Sequence, residues 1–271
     1  MPTNRLQVTF DAARAAGKKL LCPFITAGYP TLAATPELLL AVQDALGAHG
    51  IIELGIPFSD PVADGPVVQA SFTEALAGGA TVAKSLACVK AAREKGLTLP
   101  VVAMVSFTII FKKGTREFAK LCAENGVDGV ILPDIPLEEA PAVVEVMREH
   151  GLRSTLLVAP TTPEPRREAI ARLCDGFVYY LSVSGITGER KQLPADVGTN
   201  VAALRQVSKV PICVGFGIST PDQVREVTGV ADGAIVGSAV MRKIGAGAGL
   251  GVGEQREALA GFLRELASGL S

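Results

Sequence analysis

Eight short, largely β-branched apolar runs recur along the chain with helix-like segments between them, and this alternation constrains the fold more than any other feature. The runs are Leu20 to Thr26, Ile51 to Gly55, Pro100 to Val105, Gly129 to Pro133, Ser154 to Ala159, Gly176 to Ser182, Val210 to Gly215 and Gly233 to Gly237. A strand with one wet face alternates polar and apolar residues. These runs are continuously apolar, the pattern of strands covered on both faces in a parallel sheet. The intervening segments carry helical spacing: Phe118, Leu121 and Cys122 stand at i, i+3, i+4, and Leu259, Phe262, Leu263 and Leu266 at i, i+3, i+4, i+7. Thr35-Pro36 reads as a cap followed by proline at the first helical position, and Asn125-Gly126 and His150-Gly151 read as helix stops. Eight βα units in about 250 residues have the size of a closed (β/α)8 TIM barrel, so the fold class is α/β. A doubly wound open sheet is the alternative, because strand order leaves no mark in a single sequence.

Residues 1 to 16 read as an extra helix before the first strand, positioned to cover the barrel's bottom, and residues 1–271 as one barrel domain. Residues 245 to 253 alternate glycine with small residues and are expected to form a flexible connection rather than helix. With 48% hydrophobic residues, 20% charged residues and a net charge of -1, the chain is too balanced to suggest nucleic-acid binding. Its first residues lack a signal-like apolar core, and no stretch approaches the roughly 20 apolar residues of a membrane span. A cytoplasmic address and no membrane partner are the expectation. Cys22, Cys88, Cys122, Cys174 and Cys213 are odd in number and never form a Cys-x-x-Cys pair, which argues for buried small residues over disulfides or a metal site. His49 and His150 each precede a glycine at a helix end, where capping is the simpler role.

In such a barrel, chemistry sits on the loops after the strands' C-terminal ends. Three of those loops are rich in glycine: 182–188 after the sixth strand, 215–219 after the seventh, and Gly237-Ser238 after the eighth. Each glycine alone is accounted for by a tight turn. Together they suit backbone amides closing on a phosphate, with Ser238 as the cap of a short helix whose positive end faces the anion. Opposite them, counting round the barrel, lie Glu53, Asp60 and Asp64. Asp60-Pro61 and Asp64-Gly65 are also good turn formers, so a structural role stays open for both aspartates. Glu53 has no such role: a carboxyl at the end of an apolar strand is costly unless it faces a cleft. Shielded by Leu54, Ile56 and Phe58, it would have raised proton affinity and act as acid and then base. Acids across from a phosphate suggest lyase or isomerase chemistry on a sugar-phosphate-like substrate.

The residues 23–30, 53–66, 132–136, 180–188 and 215–219 together resemble the tryptophan synthase α-subunit family, and they span nearly the whole chain. The resemblance implies retro-aldol cleavage of indole-3-glycerol phosphate to indole and glyceraldehyde 3-phosphate in tryptophan biosynthesis. No metal or organic cofactor is implied in this subunit. Its partner would be a β subunit carrying pyridoxal phosphate, in an α2β2 assembly. Carried over by resemblance, Glu53 is the acid–base carboxylate and Asp64 accepts the indole N–H. Phe24 and Ile131 wall the ring, and Tyr179 lies near the substrate. Gly188, Gly217, Gly237 and Ser238 contact phosphate, and Thr187 lies in a closing loop. Asp60, Pro133 and Asp134 resemble the partner-facing surface. After the third strand the chain departs from the family's Tyr-x-Asn, having Ser106 and Thr108, with Phe107 as a substitute aromatic. Two other readings stay open: a different phosphate-binding barrel isomerase or synthase, and a non-catalytic subunit that binds the substrate and activates a partner.

Overall fold

A computed structural model describes residues 4–61, 64–182, 194–215 and 217–270. In chain order its elements are α1 (Arg5–Ala15), β1 (Leu20–Thr26), α2 (Thr35–Leu46), β2 (Ile52–Gly55), α3 (Pro66–Ala77), α4 (Val82–Glu94), β3 (Val101–Met104), α5 (Phe107–Lys113), α6 (Thr115–Glu124), β4 (Gly129–Leu132), α7 (Ala140–Glu149) and β5 (Arg153–Val158). Then come α8 (Glu164–Leu173), β6 (Val178–Leu181), α9 (Val197–Val207), β7 (Ile212–Gly215), α10 (Pro221–Val230), β8 (Gly233–Val236), α11 (Ser238–Ala246) and α12 (Val252–Ala267). Each of the eight apolar runs contributes one strand. The strands pair in parallel in sequence order, and β8 closes on β1, which makes a (β/α)8 barrel and removes the open-sheet alternative.

The barrel explains why the runs are apolar throughout. Leu20, Cys22, Ile51, Val102, Ile131, Phe177, Cys213 and Ile235 fill the inside. Their neighbours Leu21, Ile25, Ile52, Leu54, Ala103 and Val130 belong to the layer between sheet and helices. Both faces of every strand are covered, so alternation of polarity is lost. α1 seals one end as its amphipathic spacing requires: Leu6, Phe10 and Ala13 join the interior cluster, with the rings of Phe10 and Phe177 5.9 Å apart. Asn4 starts that helix by accepting from Leu6 N–H at 3.0 Å, while its amide donates to the carbonyls of Asp128 and Gly151.

Several local expectations need correction. Thr35 is the first residue of α2 rather than its cap; its hydroxyl accepts from Gly28 N–H and donates to Thr31 C=O, so the local turn claims it. The glycine-rich stretch is shorter than expected, because Gly245 and Ala246 finish α11 and Val252 and Gly253 begin α12. Packing of Ile244 and Leu259 into the core outweighs the propensity cost of the flanking glycines. Helices occur in pairs after β2 and β3. The Gly126 and Gly151 stops stand as read, both at positive φ. All five cysteines are buried and unbridged, and His150 Nδ1 lies 2.9 Å from Val146 C=O at the end of α7.

Candidate active site

Glu53 sits within β2, not at its end, in register with Phe24 of β1 and Val102 of β3. Alternation along β2 therefore points it into the barrel, with Leu54 on the opposite face. The expected shield of Leu54 and Ile56 is thus on the wrong side, and the surroundings of Glu53 come from the interior residues instead. The side chain is 2% exposed and its Oε2 has no hydrogen-bond partner. Burial, reinforced by the nearby Asp64 charge, raises its pKa to about 8. A carboxyl in this state is protonated at neutral pH and holds a proton it can donate.

Asp64 lies on the loop between β2 and α3. Gln69 of α3 holds that loop by donating to the carbonyls of Pro61 at 3.2 Å and Asp64 at 2.8 Å. Burial and the charge of Asp134 raise the Asp64 pKa to about 6, so at neutral pH it is mostly ionised while Glu53 is mostly not. Phe58, Asp60, Phe72, Met104, Ser106, Pro133 and Asp134 surround it around a space of about 20 Å³. That is room for about one water molecule. Asp134 accepts from Ser106 Oγ at 2.6 Å and from Phe107 N–H at 2.7 Å. Ser106 and Asp134 thereby join the loops after β3 and β4. Phe107 does not line this space: it opens α5 and packs toward Phe111, ring centroids 6.1 Å apart.

Three residues expected near the substrate, Phe24, Ile131 and Tyr179, lie on strands of the same barrel as the acid. Phe24 is buried, with its ring 6.4 Å from that of Phe72, and a Cβ on Gly55 would overlap it. Ile131 is fully buried in the barrel interior. Tyr179 of β6 lies over the neighbouring strand β7, where a Cβ on Gly215 would meet its hydroxyl at 2.8 Å. Burial and the charges of Glu53 and Asp64 hold its phenol well above its ordinary pKa.

At the anion end, the first residue of α11 is Ser238, and Gly237 is the cap. The expected side-chain cap by Ser238 is therefore replaced by a glycine backbone. The first intrahelical bond from this turn runs from Met241 N–H to Gly237 C=O, which leaves the earlier amides of the turn directed out of the helix end. Gly217 adopts a positive φ of 71°, open only to glycine at little cost. Thr187 and Gly188 lie outside the described residues, as do Arg190 and Lys191. A Cβ on Gly237 would stand 4.0 Å from that of Phe24. The anion end, the apolar wall and the acid therefore occupy consecutive strands, β8, β1 and β2. Of the three glycine-rich loops, that after β6 stands directly across the barrel from β2, as the count predicts, and that after β8 is nearer. Two strand spacings separate β8 from β2, about 10 Å.

Two residues at this mouth have roles the sequence does not announce. Asp134 bears on Asp64 through space as well as lying near the outer surface. Gln69 fixes the Asp64 loop, and its only sequence signal is a polar side chain on an otherwise apolar first turn. Among the described residues no cluster of three or more His, Cys, Asp or Glu forms a metal site, and no helix is long and apolar enough to cross a membrane.

The comparisons with known proteins agree with this geometry. Residues 10–267 match the family described as tryptophan synthase alpha chain. The tryptophan synthase alpha chain of a Picosynechococcus species is 46% identical over 239 residues, covering 88% of this chain and 89% of that protein. That of a Synechocystis species is 42% identical over 269 residues, covering 99% and 100%. Among solved structures, tryptophan synthase from Mycobacterium tuberculosis superposes with a TM-score of 0.86 at 33% identity, covering 98% of each chain. The tryptophan synthase subunit alpha from Legionella pneumophila does so with a TM-score of 0.84 at 35% identity, again over 98% of each. With the barrel closed, the acid buried inside it and the match running almost end to end, this chain belongs to the tryptophan synthase alpha chain family.

Proposed function

We propose that this chain cleaves indole-3-glycerol phosphate to indole and glyceraldehyde 3-phosphate, with Glu53 moving the proton and Asp64 stabilising the ring cation. Family membership supports the reaction. The residue roles rest on one observation: the anion end of α11, the Phe24 wall and the buried Glu53 follow one another on β8, β1 and β2. A substrate with a phosphate at one end and an apolar ring at the other matches that order.

Protonated Glu53 donates to C3 of the indole ring, and the positive charge that appears at the ring nitrogen is met by ionised Asp64. Glu53, now a carboxylate, takes the proton of the glycerol hydroxyl as the carbon–carbon bond breaks. The electron pair of that bond returns to the ring, neutralising it, and the proton inventory closes. Because one carboxyl serves as donor and then acceptor, a pKa near neutrality suits both halves. No step needs an organic cofactor or a metal in this chain. Ile131 and Phe24 are assigned to the ring and Gly217, Gly237 and Ser238 to the phosphate. Gly188 and Thr187 complete the assignment from the loop after β6. The partner is a tryptophan synthase β subunit with pyridoxal phosphate, in an α2β2 assembly; Asp60, Pro133 and Asp134 lie on the side assigned to it. A cytoplasmic location and a single barrel unit follow from the same reading.

The test is indole release by the purified chain, alone and with a β subunit. Glu53→Gln keeps shape and removes the titrating proton, so turnover should fall roughly a hundred- to ten-thousandfold while an unreactive substrate analogue still binds. Asp64→Asn should also lose turnover, on the order of a hundredfold, because an amide does not offset the ring cation. Normal turnover by the Glu53 variant would reject its assignment, and no indole from the unaltered chain under either condition would favour a non-catalytic binding subunit.

A further inference from the structure

A cavity of about 690 Å³ lies at the α1 end of the barrel, between α1 and the segments leading into β6 and β7. Its size is that of a small-molecule site. One wall is a single face of α1, with Phe10, Asp11 and Arg14 at i, i+1 and i+4. The other is the connection from α9 to β7, including Lys209 and Pro211, and the floor includes buried Cys174.

The charges around this cavity fall into two groups. Asp175 is shared by Arg148 at 3.2 Å and Arg153 at 3.6 Å and also accepts from Ser154 N–H; Arg148 is paired in turn with Glu145, so these four charges cancel, and Arg172 is paired with Glu168 at 3.1 Å. Arg14, Lys209 and Asp11 have no hydrogen-bond or ion-pair partner for their side chains among the described residues. Two unpaired cations against one unpaired carboxylate leave one positive charge for a ligand to match. The polar anchors of α1 are all near its start, through Asn4, Arg5 and Gln7, whereas Arg14 in its last turn holds nothing. A ligand reaching from Arg14 to Lys209 would therefore fasten the free end of α1 to the entry of β7.

We propose that this groove binds a small organic monoanion with a flat apolar body, an aryl carboxylate by chemical class. The apolar body packs on Phe10, Cys174 and Pro211 while the carboxylate meets Arg14 and Lys209. Charge-assisted contacts of this kind are the strong ones, and on an exposed rim they weaken with salt.

The chain contains no tryptophan, so Gln206→Trp on the rim supplies a single reporter. The expected result in the full chain is saturable quenching by 4-nitrobenzoate, with affinity falling about fivefold or more in the Arg14→Gln, Lys209→Gln background. Neutral 4-nitrobenzyl alcohol should bind at least as weakly as 4-nitrobenzoate does to that charge-removed chain. Because both removed cations are exposed, the double variant should fold. A rise in the melting temperature of the unaltered chain with 4-nitrobenzoate, absent in the double variant, is the reporter-free counterpart. Quenching that grows linearly without saturating, or equal affinity for the acid, the alcohol and the double variant, would overturn the proposal.

Discussion

A carboxyl with no hydrogen-bond partner for Oε2 and almost no exposure stays buried at neutral pH by remaining protonated, and this has a thermodynamic consequence at Glu53. Its pKa is about 8 in the folded chain against an ordinary value of 4.5. Between those two values the folded chain holds a proton that the unfolded chain has released, so stability falls as pH rises through that window. This contribution is constant below the lower value, and the penalty reaches its full, constant size above the upper one. Glu53→Gln removes this penalty: its advantage over the unaltered chain in urea unfolding should be about 1 kcal/mol at pH 5 and reach on the order of 4 kcal/mol at pH 8.5. A constant difference across that range would mean that Glu53 is ionised in the folded chain. Glu53 was legible in the sequence because a carboxylate inside an apolar run is too costly to bury without a cleft or a chemical task. Its surroundings were not, because Leu54 and Ile56 are neighbours in sequence, and on a strand the next residue faces the other way. Asp64 was legible through its motif, whereas the charge of Asp134 acting on it was not. That effect arises where loops after β2 and β4 meet, a closeness that only the closed barrel creates.

At the scale of elements, the loops after β2, β3 and β4 form one connected mouth. Ser106 opens α5 by accepting from Thr108 N–H, and at the same time donates to Asp134, which also takes Phe107 N–H. Asp134 is therefore a cap for α5 contributed by another βα unit, and its charge disfavours ionisation of Asp64. Asp134→Asn removes the charge and keeps an oxygen for Phe107 N–H, while its NH2 takes the place of the oxygen that accepts from Ser106, a bond that survives only with the hydroxyl as acceptor. The expected outcome is a fall in the Asp64 pKa below about 6, seen as a shift of the acidic limb of the kcat/KM profile to lower pH. The basic limb should move much less, because the main cause of the raised Glu53 pKa is burial. An unmoved acidic limb would separate Asp134 from the chemistry and leave it a purely structural cap. The eight strands and most helix stops could be read in advance because each rests on local spacing or a nearby glycine. The doubling of helices after β2 and β3 could not: the break at Gly114 is set by a φ of 92°, which a sequence does not distinguish from an ordinary turn glycine.

Closure of the whole molecule depends on contacts at the end of the barrel away from the chemistry. Asp128, just before β4, is 4% exposed and binds Arg93 of α4 at 2.7 Å, Arg5 of α1 at 2.9 Å and Val101 N–H at 2.8 Å. Its own carbonyl accepts from Asn4. One carboxylate thus joins the sealing helix, an outer helix and two adjacent strands. The two arginines differ in what their loss should cost. Arg5 is 50% exposed, so its pair with Asp128 is screened by water and worth no more than about 1 kcal/mol. Arg93 is 12% exposed and also donates to the carbonyls of Leu97, Leu99 and Gly126; removing Asp128 leaves that guanidinium buried beside a vacated anion position. Asp128→Ala should therefore destabilise the chain by about 3 kcal/mol, and Arg5→Ala by about 1 kcal/mol or less. Urea unfolding of both variants measures this difference directly. Indole release per folded molecule should remain near that of the unaltered chain, because the side-chain partners of Asp128 are Arg5, Arg93 and Val101 N–H, none of them assigned to the reaction. Equal losses from the two substitutions would show that the exposed bridge to α1, rather than the buried one to α4, carries the closure.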